Sequence, residues 1–346
     1  MFRSRLAWLY LLTAALVWLL GEFVGERTVP TLLLAYAPAV VWLLPAPFVL
    51  AWTVWRRRGV AVALAGLLLA AWGAGLLHWQ PQQGGTLRVV TFNAARGMLG
   101  TPERLAAALR GADADLLLLQ ETNFVRPDFR GELLARLPGY TVRTGHEVMT
   151  LARLPVLSAQ TFAAPGSGRN FLETRVRWQG QNLRVVNAHL GTVLVSSALR
   201  GDLAQLRQTR DVRAEQVALL ASLAAREPGP VLLGGDLNTP PRGAVYRRLR
   251  QAFGPDAHDR AGRGPGWTFP GLFLRIDHLM AGGLTPVRAR VLENAGSDHR
   301  PLLAEFLATS PPLSASSVPG PRPSWPESRV RMSRAEPKER GATEEH

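Results

Sequence analysis

Long apolar stretches fill the first part of this chain, and much shorter ones follow after residue 85. Residues 6–24, 29–55 and 60–79 carry no charge except Glu22. An apolar helix of about 20 residues is long enough to cross a bilayer, so the pattern predicts a membrane anchor over residues 1–80 with three transmembrane helices. A buried bundle in a soluble protein is the alternative, which the length of these uncharged stretches disfavours.

Charges beside the apolar stretches predict their orientation. Two arginines precede the first stretch, residues 56–58 are all arginine, and the first connection carries Glu22, Glu26 and Arg27. Because cytoplasmic loops carry an excess of positive charge, we expect a multi-pass protein of the cell membrane with a cytoplasmic N-terminus. Three crossings then place everything after residue 79 outside the cytoplasm. A cleaved signal peptide is the alternative for the first stretch, but no small-residue cleavage site follows it.

Short apolar runs and polar turns dominate from residue 87 to residue 307. The predicted strands are 87–92, 115–119, 148–151, 173–178, 183–188, 231–233, 276–280 and 302–306, and the predicted helices are 101–110 and 211–225. Too many strands lack an intervening helix for a doubly wound sheet, so we expect a four-layer α/β sandwich of two packed mixed β-sheets flanked by helices. Residues 310–346 are rich in Pro, Ser and Arg, which predicts a disordered tail.

The composition excludes some kinds of site and says little about the partner. The chain has no cysteine, which excludes disulfides, thiolate zinc sites and cysteine nucleophiles. Its net charge is +14, but Lys338 is the only lysine, and an excess of Arg with Ala, Gly and Pro is also what a GC-rich genome produces. The charge is therefore weak evidence for a nucleic-acid partner.

Polar side chains stand where the predicted strands end. The set contains only carboxylates, amides and imidazoles: Asn93, Glu121, His189, Asp236, Asn238, Asp277, His278, Asp298 and His299. Strand ends at one edge of a sheet converge, and this chemistry suits a hard divalent cation, a phosphate ester and a water that loses a proton. Taken singly, each residue also has an ordinary interpretation as a turn, cap or packing residue.

Six segments, in this order, resemble those of the endonuclease/exonuclease/phosphatase superfamily, whose members are DNase I-like. They are Val90-Thr91-Phe92-Asn93, Asp115 through Gln120-Glu121-Thr122, Asn187-Ala188-His189-Leu190, Gly235-Asp236-Leu237-Asn238, Arg275-Ile276-Asp277-His278 and Ser297-Asp298-His299-Arg300-Pro301. One departure is Ala152, which stands before Arg153 where relatives often carry Ser.

The resemblance implies a metal-dependent hydrolase of phosphoester bonds. It implies that Glu121 is the principal metal ligand, with Asn93 nearby and Asp298 contributing, and that the ion is Mg²⁺ or Mn²⁺. No obligate protein partner is inferred.

The same resemblance implies roles for the remaining residues. Asp236 and Asn238 would orient the attacking water and the phosphoryl group, and His189 would donate to the phosphate or the leaving oxygen, so Asn238 and His189 also bind substrate. His299 would act as general base or stabilise charge, with Asp277 accepting its other ring proton. Whether Asp236 or His299 takes the water's proton stays open.

Other residues receive structural interpretations. We expect His278 to pack on the face opposite Asp277, and His146 and His258 to occupy solvated loops. Residues 267–270 form an aromatic wall beside the site or pack the second sheet. An ordinary connection is the favoured interpretation for residues 193–195, and contact with lipid is the alternative.

Three functions are consistent with the sequence. The leading hypothesis is a membrane-anchored, metal-dependent phosphoesterase outside the cytoplasm, which cleaves a phosphodiester or phosphomonoester. Its location favours lipid head groups or extracellular phosphoesters over cytoplasmic nucleic acid. An extracytoplasmic nuclease on DNA or RNA is the alternative, with Arg200, Arg207, Arg210 and Arg213 contacting phosphates unless they form the solvated face of a helix. A non-catalytic membrane scaffold of the same fold is the third.

Overall fold

The computed structural model describes residues 4–193 and 200–309, and the predicted tail lies outside them. In the described residues the strands are β1 (Leu87–Asn93), β2 (Leu116–Gln120), β3 (Thr141–Thr144), β4 (Met149–Ala152), β5 (Val156–Ala163), β6 (Asn170–Trp178), β7 (Gln181–His189), β8 (Val231–Asp236), β9 (Asp277–Gly282), β10 (Leu284–Val291) and β11 (Leu302–Ala308). The helices are α1 (Arg5–Leu19), α2 (Val29–Tyr36), α3 (Ala46–Trp55), α4 (Val60–Gly73), α5 (Pro102–Gly111), α6 (Phe129–Ala135), α7 (Leu203–Ala225), α8 (Gly243–Phe253) and α9 (Ala257–Ala261).

The strands form two mixed sheets packed face to face. Their orders are β10-β11-β1-β2-β4-β3 and β5-β6-β7-β8-β9. Aliphatic side chains from the facing surfaces, such as Val89, Leu118 and Leu232, form the central core. The outer face of the first sheet packs against α5 and α6, and that of the second against α7 and α8. The predicted architecture of two packed sheets flanked by helices is confirmed.

Three strands, β3, β5 and β10, are missing from the sequence prediction, and all three lie at sheet edges. Edge strands are paired on one side only and need few apolar residues. The side chains of β3 and β5 are mostly exposed, and β10 contains Pro286 at a break in register. Helix α7 begins at Leu203 rather than at the predicted residue 211, because Asp202 accepts a hydrogen bond from the backbone N–H of Gln205 and caps its first turn.

The N-terminal region differs from the three straight spans that we expected. Helix α1 continues through two irregular turns as one helical segment, Arg5–Arg27, whose 23 residues are long and apolar enough to cross a membrane. The second stretch is bent by 80° between Val29–Tyr36 and Ala39–Trp55, and the third helix, Val60–Gly73, has 14 residues. The prediction of three spanning helices is therefore wrong for the described residues. One helical segment is long and apolar enough to cross a membrane, and a second is added only if the two halves of the bent pair form a single span.

Backbone chemistry explains both deviations. Pro38 lacks an N–H and disfavours helical geometry at the preceding Ala37, which has ψ 130°. Past α4, Gly75 adopts a left-handed φ of 76°, which ends the helical path.

The N-terminal helices pack on the α/β sandwich. Leu32, Ala35 and Tyr36 of α2 form a small core with Val193 and Leu206. Glu26 accepts a hydrogen bond from the backbone N–H of Ala244 in the first turn of α8, at 3.0 Å. A glycine is required at position 243, because its φ is 91° and a Cβ there would lie 2.6 Å from the Glu26 carboxylate.

Candidate active site

One edge of the sandwich carries most of the predicted site residues. The parallel pairs β1/β2 and β7/β8 end together, with Asn93 opposite Gln120 and His189 opposite Asp236. Strand β9 begins at this edge, because Asp277 is the register partner of Asp236. Gly235 permits the close approach of β8 to β7, since a Cβ at its φ of 155° would lie 1.7 Å from the carbonyl oxygen of Ala188.

The Asp236 carboxylate lies at the centre of this group. Its Oδ2 accepts a hydrogen bond from Asn93 Nδ2 at 3.0 Å, and lies 3.5 Å from His189 Nε2 and 3.7 Å from His299 Nε2. Its Oδ1 accepts from the backbone N–H of Asn238 at 2.9 Å. Burial opposes its ionisation, yet the His299 and His189 imidazoles outweigh burial and lower the pKa of Asp236.

His299 is held by Asp277. Its Nδ1 lies 2.8 Å from Asp277 Oδ2, a contact that keeps a proton on Nδ1 and directs Nε2 toward Asp236. Asp277 is itself positioned by Thr268, whose hydroxyl oxygen accepts the Asp277 backbone N–H at 3.1 Å. Burial favours the neutral imidazole, but the charges of Asp277 and Asp236 outweigh burial and raise the pKa of His299 to about 10. His299 is therefore an imidazolium at neutral pH in this arrangement.

His189 is held by a carboxylate that the sequence did not reveal. Glu147, in the turn between β3 and β4, lies 3.1 Å from His189 Nδ1 through its Oε2. Arg169 approaches the same carboxylate at 3.3 Å. His189 Nε2 is buried and has no hydrogen-bond partner within the described part of the chain. It is therefore free to form a hydrogen bond with a ligand at the sheet edge.

Two residues after strands adopt left-handed backbone conformations that place their side chains at the edge. Glu121 has φ 52° and Asn238 has φ 45°, which is unusual for residues with a Cβ. The Asn238 carboxamide nitrogen donates to the carbonyl of Leu190 at 3.1 Å, so its Oδ1 is the atom left to contact a ligand.

The predicted metal residues lie next to one another. Asn93 Nδ2 donates to Glu121 Oε1 at 3.0 Å, and its Oδ1 accepts from the N–H of Ala95. The Ser297 hydroxyl lies 2.8 Å from the Asn93 carbonyl oxygen and 3.2 Å from Asp298 Oδ1. This contact brings the exposed Asp298 close to Asn93. Hard cations prefer such carboxylate oxygens, so Glu121 and Asp298 fit a divalent ion, while Asn93 orients Glu121 and Asp236. Direct ligation by Asn93 stays a prediction.

A second set of possible metal ligands consists of Asp236, Asp277 and His299, whose ligand atoms lie within 4.8 Å of one another. Both ring nitrogens of His299 already face the carboxylates of Asp236 and Asp277. The three side chains are therefore arranged as an acid and base group that contact one another, rather than as ligands directed at a metal ion. Asp277 Oδ1 is buried without a partner among the described residues, so this group still has capacity toward a ligand.

The other histidines lie apart from this edge. His278 is fully buried on the opposite face, where Nδ1 contacts Asp256 at 2.7 Å and Nε2 contacts the Thr239 carbonyl at 2.8 Å. His146 is exposed, as expected. The expectation for His258 is wrong: it is buried in α9 and its ring stacks on His78. The short α9 carries no periodic apolar signal that the sequence could have revealed.

Comparison with known proteins identifies the fold family. The profile of the Endonuclease/Exonuclease/phosphatase family matches residues 90–299, more than half of the chain. The chain belongs to this family. Every proposed metal and catalytic residue of the Endonuclease/Exonuclease/phosphatase domain falls within that match, and membership indicates a hydrolase of phosphoester bonds.

Solved structures share the fold. D. rerio TDP2 complexed with a single-strand DNA product is 18% identical, with a TM-score of 0.50 over 64% of this chain and 98% of that chain. Truncated Caenorhabditis elegans TDP2 is 19% identical, with a TM-score of 0.50 over 64% and 98%. At this identity the likeness supports the sandwich architecture of the Endonuclease/Exonuclease/phosphatase domain alone.

Proposed function

We propose that this protein is a membrane-anchored phosphoesterase that depends on a divalent metal and hydrolyses a phosphodiester or phosphomonoester with a bound water. The observation that carries the proposal is the convergence of His189, Asp236 and His299 on one point at the sheet edge. Glu121 lies beside them through Asn93. Acid, base and metal-binding groups thus surround a single position for a phosphate.

Each residue has a chemical task in this proposal. Asp236, ionised at neutral pH, accepts a proton from the attacking water, while Asn238 orients the phosphoryl group. His299, kept as an imidazolium by Asp277, donates to a phosphoryl oxygen and stabilises its growing negative charge. His189 donates from its unpartnered Nε2 to the leaving oxygen or the phosphate.

The metal site would be formed by Glu121, with Asn93 and Asp298 beside it. A Mg²⁺ or Mn²⁺ ion bound there would neutralise charge on a phosphate oxygen. The Asn93 side chain bridges Glu121 and Asp236, so it keeps the ion-binding carboxylate and the proposed base at a fixed separation.

Membrane attachment and an extracytoplasmic catalytic domain are part of the proposal. The segment Arg5–Arg27 is long and apolar enough to cross a bilayer, and the arginines at residues 56–58 lie near its N-terminal end, because a Cβ at Gly59 would lie 3.1 Å from Ser4. Since positive charge marks the cytoplasmic side, a single crossing by this segment would place the catalytic domain outside the cytoplasm. A site held beside a bilayer favours phosphoesters of lipid head groups.

A nuclease is the second candidate, because a protein of the same fold has been solved with a single-strand DNA product. Of the α7 arginines named for phosphate contact, Arg207 is exposed, but the other two give little support. Arg213 is buried and donates to Gly191 and Thr239, and Arg210 pairs with Asp211 and donates to the Arg27 carbonyl. Neither guanidinium is displayed for a nucleic-acid backbone.

The test uses the full chain in detergent or nanodiscs with Mg²⁺, Mn²⁺ or EDTA. The substrates are bis-para-nitrophenyl phosphate, anionic and zwitterionic phospholipids, and plasmid DNA. We expect metal-dependent release of product that Glu121→Gln and His299→Gln reduce by about 10²-fold or more. His146→Gln, at an exposed histidine, is the matched control and should retain activity. Metal binding without turnover of any substrate would instead support a scaffold.

A further inference from the structure

A cleft of about 670 Å³ lies between the N-terminal helices and the α/β sandwich. One wall comes from α1, α4 and the segment that follows α4, and the other from residues 240–242 and 264–275. The lining does not include Asp236 or His299, so the cleft is a site separate from the catalytic edge.

Aromatic side chains form much of the wall. Trp18 and Trp72, near the ends of α1 and α4, have ring centroids 5.2 Å apart, and Trp267 packs on Phe273 at 5.0 Å. Tryptophan is enriched where membrane helices meet the polar head groups. With α1 crossing a bilayer, as the proposed function requires, this end of the cleft would lie at the level of the lipid head groups.

One cation in the cleft lacks a partner. The side chain of Arg242 lies against Gly21 and lines the cleft. Across residues 4–193 and 200–309 its guanidinium makes no hydrogen bond or ion pair. Glu22, which also lines the cleft, forms an ion pair with Arg247 at 3.6 Å. Burial lowers the pKa of Arg242, and the negative charge of Glu22 opposes this effect without reversing it. An anionic ligand would therefore be stabilised here.

The cleft is continuous with segments that carry the active site. Pro240 and Pro241 follow Thr239, the residue after Asn238, and Trp267 precedes Thr268, which accepts the Asp277 N–H. A ligand in the cleft would thus lie beside both of these segments.

We propose that this cleft binds one anionic phospholipid from the surrounding bilayer, with an acyl chain along Trp18, Trp72 and Trp267 and the phosphate head group on Arg242. The inference rests on the membrane attachment in the proposed function. A free phosphate would satisfy Arg242 but leave the aromatic wall in contact with water, so the apolar chain is an essential part of the ligand.

The test is native mass spectrometry of the delipidated full chain with added phosphatidylglycerol or phosphatidylcholine. We expect one phosphatidylglycerol to bind selectively, and Arg242→Gln to weaken its binding by about tenfold. Gly73→Leu should weaken binding of the same lipid by filling the cleft, since a Cβ at Gly73 meets only Trp18, at 3.9 Å.

Matched controls separate this site from general lipid contact. Arg248→Gln changes an exposed arginine of α8, the helix that follows Arg242, and Ala51→Leu enlarges an exposed residue of α3, so both should bind like the unchanged protein. Thermal melting checks that each variant is folded, and Arg242→Lys should retain part of the selectivity. Equal binding of both lipids, no effect of Arg242→Gln, or full competition by millimolar inorganic phosphate would overturn the proposal.

The readout also distinguishes this proposal from the catalytic one. Glu121→Gln should keep selective lipid binding even though it removes hydrolysis. Binding without any hydrolysis by the unchanged protein would contradict the proposed function alone, and hydrolysis without selective binding would contradict the lipid site alone.

Discussion

The hydroxyl of Tyr36 donates a 2.5 Å hydrogen bond to the carbonyl oxygen of Asn238, which joins helix α2 to the loop after β8. Tyr36 is buried, and Arg213 supports the same loop by donating to the Thr239 hydroxyl at 2.7 Å. Asn238 occupies a left-handed conformation, which persists only where surrounding contacts hold it. The N-terminal region therefore positions a residue of the candidate active site.

We predict that Tyr36→Phe lowers kcat. Loss of one hydrogen bond costs about 0.5–1.5 kcal/mol, which corresponds to a decrease of up to about tenfold if the loop must be held for reaction. Steady-state kinetics on the most active substrate measure the change. Tyr10→Phe is the control, because it removes a similar hydroxyl-to-carbonyl bond, to Trp42, away from the loop. An equal effect of both substitutions would indicate general loosening of the helices.

Asp277→Asn should reduce kcat by about 10²- to 10⁴-fold with a much smaller change in KM. The substitution removes the negative charge that keeps His299 protonated and allows the ring to adopt the other tautomer. The comparison variant is Asp211→Asn, at an exposed carboxylate on α7. If kcat of Asp277→Asn lies within threefold of that of the unchanged protein, the proposed action of Asp277 through His299 is wrong.

Glu147 is predicted to act through His189, because its carboxylate contacts His189 Nδ1 at 3.1 Å. We expect kcat to decrease in the order unchanged protein, Glu147→Gln, Glu147→Ala, since glutamine keeps an acceptor oxygen. A double-mutant cycle with His189→Gln provides the decisive measurement. The double variant should be no slower than His189→Gln alone. Additive losses would show that Glu147 affects the reaction by another route.

Strand ends were predictable because a buried apolar run stops at a polar residue, as at Phe92 and Asn93, or at Leu233 with Asp236 two glycines later. The contacts that hold these polar residues in place were not predictable from the sequence. Glu147 follows an edge strand with exposed side chains, and Thr268 lies in a loop, so neither position has a pattern that distinguishes it from an ordinary polar residue.

The contact of the N-terminal region with the candidate active site was also not predictable from the sequence pattern. An uncharged stretch of 27 residues, 29–55, has the composition of a membrane span, and composition does not reveal that Pro38 divides it. The division leaves α2 against α7, where Tyr36 reaches a residue 202 positions away. Contacts at such separation depend on the tertiary fold.

Acid should destabilise the protein through His258. Burial, and then the charge of Arg275, lower the pKa of His258 to about 3. Between about pH 6.5 and pH 3 the unfolded chain therefore binds a proton that the folded chain does not, so stability falls as the pH falls through this window. The slope from this residue approaches about 1.4 kcal/mol per pH unit. Thermal unfolding at pH 7, 6 and 5 should give a shallower dependence for His258→Gln, whereas His146→Gln, at an exposed ring, should match the unchanged protein. If the three proteins lose stability in parallel, the buried imidazole is not the group responsible.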